Sequence, residues 1–261
     1  MCELLGLNFN QPVHCQLSFR GFRGRGRRNP HGWGIARFDR RACQVFKEPI
    51  EATTSPLAHF LPDYKAFKSS IFVGHVRYAT MGRHTLQNTH PFSRTFRHRD
   101  LVFAHNGTVA PVMSTRELKF HPVGETDSEY LFCALLTRLS RERVRFTDFE
   151  SIEDILRDFN ECGAMNLLFS EGKHLYCYHD MNGYSGLCMT ERRAPFEKVS
   201  LLDDDWEVDL AEEKHPDQRG VVIATRPLTF ETWNGLAPGA LCVFKNGESV
   251  YGELIRCEGE Q

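Results

Sequence analysis

The chain has 261 residues, 41% of them hydrophobic and 25% charged, enough apolar material for one substantial core, so a single domain over residues 1–261 is expected. A formal net charge of -2 excludes a global basic field for drawing in nucleic acid or an anionic membrane. No run approaches the roughly 20 apolar residues of a membrane-spanning helix, and the start lacks the basic and apolar regions of a signal peptide; a cytoplasmic location follows as an expectation.

Runs rich in β-branched and aromatic residues predict strands at 3–9, 32–38, 43–47, 71–78, 101–105, 164–169, 175–179, 221–225, 241–245 and 250–256. Asn182-Gly183 and Asn246-Gly247 read as two-residue hairpin turns between them. A short helix is expected from Ser55-Pro56, with Leu57, Phe60 and Leu61 as its inner face. From Asp127, Leu131, Leu135 and Leu139 recur at helical spacing with Phe132 and Leu136 beside them, and Thr126 to Glu129 forms a capping box at the start. A further helix over 151–159 places Ile152, Ile155, Leu156 and Phe159 on one face, with Gly163 past its end. Many strands and few helices imply an α+β domain with antiparallel sheets and helices packed outside.

Two polar segments interrupt the strands. Residues 20–28, "RGFRGRGRR", hold five arginines, and residues 203–213, "DDDWEVDLAEE", are strongly acidic. Both read as mobile solvated loops. The nine cysteines are odd in number and contain no CxxC pair, which argues against a disulfide framework and a structural zinc site. Common catalytic signatures are missing: no GxxxxGK[ST], no HExxH, and Gly183-Tyr184-Ser185-Gly186 has the wrong spacing for a nucleophile elbow.

What remains is a set of polar residues at strand ends. If Met1 is cut off, Cys2 carries both a thiol of pKa about 8.5 and an α-amine of pKa about 8, a nucleophile and its base in one residue; otherwise Cys2 merely caps a strand. In "VGHVRYATMG", residues 73–82, strand alternation puts Val73, His75 and Arg77 on one face. An arginine there needs an anion, either a carboxylate of a ligand held bidentately or one of the chain itself, while His75 reads as a packed strand histidine. "AHNGTV", residues 104–109, contains Asn-Gly, a hairpin signal whose exposed Asn106 amide and Gly107 N–H also supply the two donors of an oxyanion hole. Asp127 in "GETDSEYLF" either stabilises its helix start or serves a ligand.

Taken in order, "MC" with its hydrophobic strand, "NPHGWGIA", "GHVRYATMG", "HPF", "AHNGTV" and "TDSEYLF" resemble the motif series of the class II glutamine amidotransferases, enzymes of the N-terminal nucleophile hydrolase superfamily. The series covers roughly residues 1–135, with looser agreement beyond, as in "GVVIATRPLT". The resemblance implies an αββα sandwich, with two antiparallel sheets between helical layers. It also implies that Cys2 is the nucleophile and its amine the base, that Asn106 and Gly107 stabilise the oxyanion, and that Arg77 and Asp127 hold the substrate α-carboxylate and α-ammonium. Thr80 would complete the substrate pocket. The sequence departs from better-known members at Tyr78, at Met81, at His90 (where they carry "QPF"), and in having no synthetase or transferase domain after residue 261. It looks like the stand-alone branch, hydrolysing γ-glutamyl amides with no metal or organic cofactor.

The expected partner is a small molecule, glutamine or a γ-glutamyl compound. Two alternatives stand beside this one. The first is a glutaminase subunit supplying ammonia to a separate synthetase. The second is an RNA-binding module using residues 20–28, with Phe22 stacking on a base, although neither nucleic acid nor membrane is the expected partner. In a further variant, residues 20–28 form a lid that steers acidic γ-glutamyl substrates toward Cys2.

Overall fold

The computed structural model describes residues 1–110 and 118–252. In chain order the strands and helices are β1 (Glu3–His14), α1 (Gln16–Gly24), β2 (Trp33–Asp39), β3 (Ala42–Glu48), α2 (Pro56–Phe60), β4 (Lys68–Val76), β5 (Phe92–Phe96), β6 (Arg99–Val109), α3 (Asp127–Arg141) and α4 (Phe149–Asn160). There follow β7 (Gly163–Ser170), β8 (Leu175–Tyr178), β9 (Cys188–Arg193), β10 (Lys198–Ser200), β11 (Glu207–Asp209), α5 (Leu210–Glu213), β12 (Arg219–Ala224), β13 (Asn234–Gly235), β14 (Leu241–Lys245) and β15 (Glu248–Tyr251).

Two large antiparallel sheets face each other, one of seven strands ordered β13-β9-β12-β1-β4-β2-β3 and one of six ordered β15-β14-β8-β7-β6-β5. The alternation of β1 shows why this is a sandwich. Leu5, Leu7, Phe9 and Val13 pack outward with Phe19 and Phe22 of α1 and Ala58 of α2, whereas Leu4 points to the other sheet and meets Val102, Ala104 and Leu168. The second sheet repeats this: Leu101 and Phe103 pack under α3 and α4 beside Leu131, Leu135 and Ile155, and Val102 and Ala104 fill the space between sheets. Strands buried on both faces explain the near-continuous apolar runs, and the layer order is helices, sheet, sheet, helices, as the resemblance implied.

Every strand expected from sequence has a counterpart, although 253–256 of the last lie outside the described residues. The strands β5, β9, β10, β11 and β13 were not foreseen; they are short or polar, all but β9 lie at a sheet edge, and their partners decide them. Asn246-Gly247 is the turn between β14 and β15, with φ of 52° and 76°. Asn182-Gly183 is not a hairpin: β8 pairs with β7 and β14, β9 belongs to the other sheet, and the dipeptide lies in the crossover between them. In α2, Ser55 Oγ accepts from Ala58 N at 3.0 Å, and the inner face is Ala58 with Leu57 packed beside it and Leu61 just beyond; Phe60 is 55% exposed and not part of it.

The two polar segments are the largest departure from expectation. Residues 16–24 form α1 and Arg25–Arg28 a 3-10 turn, because Leu17, Phe19 and Phe22 supply a buried face at helical spacing between the arginines. The acidic run contains β11 and α5, the latter capped by Asp209. The segments neutralise one another: Arg20 Nε lies 2.9 Å from Asp204 Oδ2 and Arg25 Nε 2.7 Å from Asp203 Oδ2. Arg23 donates to Ala58 O, so three of the five arginines are committed within the fold, which leaves little of the basic segment for reading phosphates. None of the described helices is long and apolar enough to cross a membrane.

Candidate active site

The site begins where β1 and β4 end. Glu3 opposes Val76 in register, so the residues just outside the pair, Cys2 and Arg77, emerge side by side. Alternation carried one step past β1 aligns Cys2 with Leu4, and past β4 aligns Arg77 with His75 and Val73, on the faces that look toward the second sheet. Cys2 Sγ accepts from Tyr78 N at 3.1 Å and donates to Tyr78 O at 3.3 Å. Burial pushes the Cys2 thiol up, while the Tyr78 N–H, the positive N-terminus and Arg77 favour its thiolate.

The segment after β4 is fixed by residues 31–32 of "NPHGWGIA". Arg77 N donates to Gly32 O at 2.7 Å, His31 N to Arg77 O at 3.0 Å, and Ala79 N to His31 Nδ1 at 2.9 Å. This last bond places the His31 proton on Nε2 when the ring is neutral, and burial with His84 and Arg77 nearby pushes its pKa down. Arg77 is buried, and among the described residues its guanidinium pairs with no carboxylate. Instead Nη2 donates to Met81 O at 2.8 Å and Nη1 to Arg83 O at 3.1 Å, so that the fork holds the turn that follows it. Burial pulls its pKa down, and Cys2 and Asp127 act in the opposite sense. Arg77 therefore already sits in the field of both other residues.

The second sheet contributes Asn106 and Gly107 from inside β6, where they oppose Asn166 and Met165 of β7. They are not a turn, contrary to the hairpin reading: the pairing continues to Val109, and ladder bonds outweigh the dipeptide's local preference. Parity with Val102 and Ala104 points Asn106 into the space between sheets, and its Nδ2 lies 3.4 Å from Ser185 Oγ. His105, one residue off, faces the helical layer, and its Nδ1 lies 2.9 Å from Ser128 Oγ at the start of α3. Asp127 is the first residue of α3. Thr126 Oγ1 accepts from Glu129 N at 3.2 Å, and Asp127 Oδ2 accepts from Val109 N at 2.9 Å, tying helix start to strand end. In place of a closed capping box, the Glu129 carboxylate reaches Gly124 N at 2.6 Å.

Cys2 opens into a cavity of about 210 Å3 lined by Met1, Glu3, Arg28, Asn29, Ser185, Thr225 and Arg226. Ser185 thus joins the thiol's cavity to the Asn106 amide. Arg77, Asp127 and Gly107 do not line this cavity, and Thr80 is exposed in the turn after Arg77. Cys2, Arg77, Asp127 and Asn106 are brought together through the Tyr78 backbone, the shared field and Ser185; Thr80 is not. Sequence reasoning missed three participants. Tyr78 acts through its backbone, which leaves no side-chain signal. His31 was visible only as part of a motif. Ser185 sits in the glycine-flanked "GYSG" at φ 61°, the feature set aside as a failed nucleophile elbow. Among the described residues no three His, Cys, Asp or Glu side chains are grouped to hold a metal ion.

Residues 1–258 match the family model of the class II glutamine amidotransferases. The chain is 39% identical over 259 residues to YafJ of Escherichia coli, a protein named as a candidate glutamine amidotransferase, covering 96% of this chain and 100% of that one. A crystal structure of a predicted glutamine amidotransferase from Pseudomonas aeruginosa superposes with a TM-score of 0.71 at 30% identity, covering 96% of this chain and all of the other. The glutamine phosphoribosylpyrophosphate amidotransferase of Bacillus subtilis shares the fold with a TM-score of 0.67 at 17% identity, over 98% of this chain and 50% of that one.

Proposed function

Since the chain belongs to the class II glutamine amidotransferases, we propose that it hydrolyses the side-chain amide of glutamine or of a γ-glutamyl compound at Cys2. The observation that carries this reading is the placement of Cys2 Sγ on the Tyr78 backbone at a cavity whose wall, Ser185, is the partner of the Asn106 amide. Removal of Met1 frees the Cys2 amine to take the thiol proton. The thiolate adds to the amide carbon, and the oxyanion is met by Asn106 Nδ2 and Gly107 N–H. The C–N bond then breaks, the leaving nitrogen takes the proton held by the amine, and water cleaves the thioester to glutamate. Arg77 and Asp127 take the α-carboxylate and α-ammonium, with Asp127 kept in place by Val109 N.

Glutamate release by the protein, with the loss of Met1 checked by mass spectrometry, should fall to background in Cys2→Ala. Equal rates in the two proteins, or full activity with Met1 retained, would sink the assignment. The ammonia-supplying alternative predicts the opposite pattern to a self-sufficient hydrolase: little glutamate release alone and a rise on adding a synthetase.

A further inference from the structure

Resting on the Cys2 reading, we infer that Arg28 forms a leaving-group subsite, so that the preferred substrates are γ-glutamyl amides whose departing amine carries a carboxylate. The glutamyl end of a substrate is claimed by Arg77 and Asp127, neither of which lines the Cys2 cavity. That cavity therefore receives the other side of the scissile bond. With Met1 in place it measures about 210 Å3, and removal of Met1, which lines it, widens it further, so a group of amino-acid size fits.

Its charge is specific. Four guanidiniums, of Arg25, Arg27, Arg28 and Arg226, and two carboxylates, of Glu3 and Asp203, line this cavity and a neighbouring one of about 180 Å3. The carboxylates are already spent: Glu3 pairs with Arg226 and lies 3.9 Å from Arg25 Nη1, while Asp203 takes Arg25 Nε at 2.7 Å. Arg28 lines both cavities, and its guanidinium makes no hydrogen bond or ion pair among the described residues. The 3-10 turn that carries it is held by Arg25 Nη2 on Pro227 O at 2.7 Å and by Asn29 Nδ2 on Arg25 O at 3.0 Å. An unspent guanidinium on an anchored turn, in the same cavity as the nucleophile, matches a carboxylate carried by the leaving amine. The reaction itself is unchanged: the amino acid departs as the amine, with the proton passed through the Cys2 amine.

The test compares kcat/KM for γ-glutamylglycine, γ-glutamylglycinamide and glutamine in the wild type, Arg28→Gln and Arg28→Lys. Wild type should favour γ-glutamylglycine over its amide about tenfold, the size of one charge-assisted hydrogen bond, with the ratio falling toward one in Arg28→Gln, mostly through KM, and partly restored in Arg28→Lys. Arg28 is exposed, so the variants should fold, and a thermal melt checks this. A wild-type ratio near one, or one unmoved in Arg28→Gln, overturns the subsite while leaving the glutaminase reading intact. Wild type that turns over none of the three overturns both.

Discussion

Gly107 shows how little freedom the site allows a single residue. A Cβ built there runs into Ala164 O and comes within 2.7 Å of His105 Nε2, and backbone in a paired strand cannot step aside. Gly107→Ala should therefore cost about 2–3 kcal/mol of stability, an overpacking penalty, and should lower kcat of glutamate release beyond any change in KM. Urea unfolding and steady-state kinetics check both; a variant as stable and active as wild type would show that β6 and β7 can separate at no cost. The "NG" dipeptide was visible in the sequence, but its meaning was not. Local propensity marks it as a turn, and only its partners Asn166 and Met165 make it the end of a buried strand. Arg77 shows the same limit. Its burial was foreseeable from the apolar strand before it, but its use of carbonyls 81–83 as partners depends on a turn that leaves no periodic signal.

At the scale of an element, α3 is the most legible part of the chain and also positions chemistry. Its stripe of Leu131, Leu135 and Leu139 is fully or almost fully buried, as the spacing predicted, and Thr126 caps it. Because Asp127 directly follows the cap and holds Val109 N, loosening the first turn should move the carboxylate as well as weaken the helix. Thr126→Ala is expected to cost about 1 kcal/mol, a drop of roughly 2–4 °C in Tm, and to raise KM for glutamine more than it lowers kcat. Calorimetry and kinetics decide it, and an unchanged KM would show that Asp127 is placed by the β6 contact alone. α1 was the least legible element. Its arginines masked an apolar face that only becomes apparent once Phe19 and Phe22 have a sheet to pack against.

Across the whole molecule, the sandwich carries ionisable groups in its interior. His75 stacks on His90 at 4.1 Å, and its Nε2 donates to His105 O of the opposite sheet at 3.1 Å. Burial holds all three rings below the usual histidine range, His75 to about 3, with Asp127 partly opposing this for His105. The unfolded chain binds protons at these residues below pH ~6.5 while the folded state refuses them, so stability is full above that pH and falls as pH drops from about 6.5 toward 3. For His75 the loss should reach about 2 kcal/mol by pH 5, with His90 and His105 acting in the same direction. Urea titrations at pH 7 and 5 measure it. His90→Phe, which removes a ring whose two nitrogens lack partners among the described residues, should flatten the dependence. A pH-independent stability in the wild type would mean that the three rings do not stay neutral in the fold.

The sequence by itself determined ten of the thirteen strands of the two large sheets, the two long helices and the identity of the residues Cys2, Arg77, Asn106, Gly107 and Asp127 as a set worth weighing. Each of those follows from periodicity, capping or residue chemistry, which act over a few neighbours. The tertiary structure alone decided which of them meet. It put Cys2 on the Tyr78 backbone, turned Asn106 inward beside Ser185, and left Thr80 at the surface. It also split one arginine-rich run into residues spent on Asp203 and Asp204 and one, Arg28, left at the cavity. The reason is physical. Strand pairing and charge neutralisation join residues as far apart as Cys2 and Tyr78, or Arg20 and Asp204, and no local pattern records which partner the rest of the fold will supply.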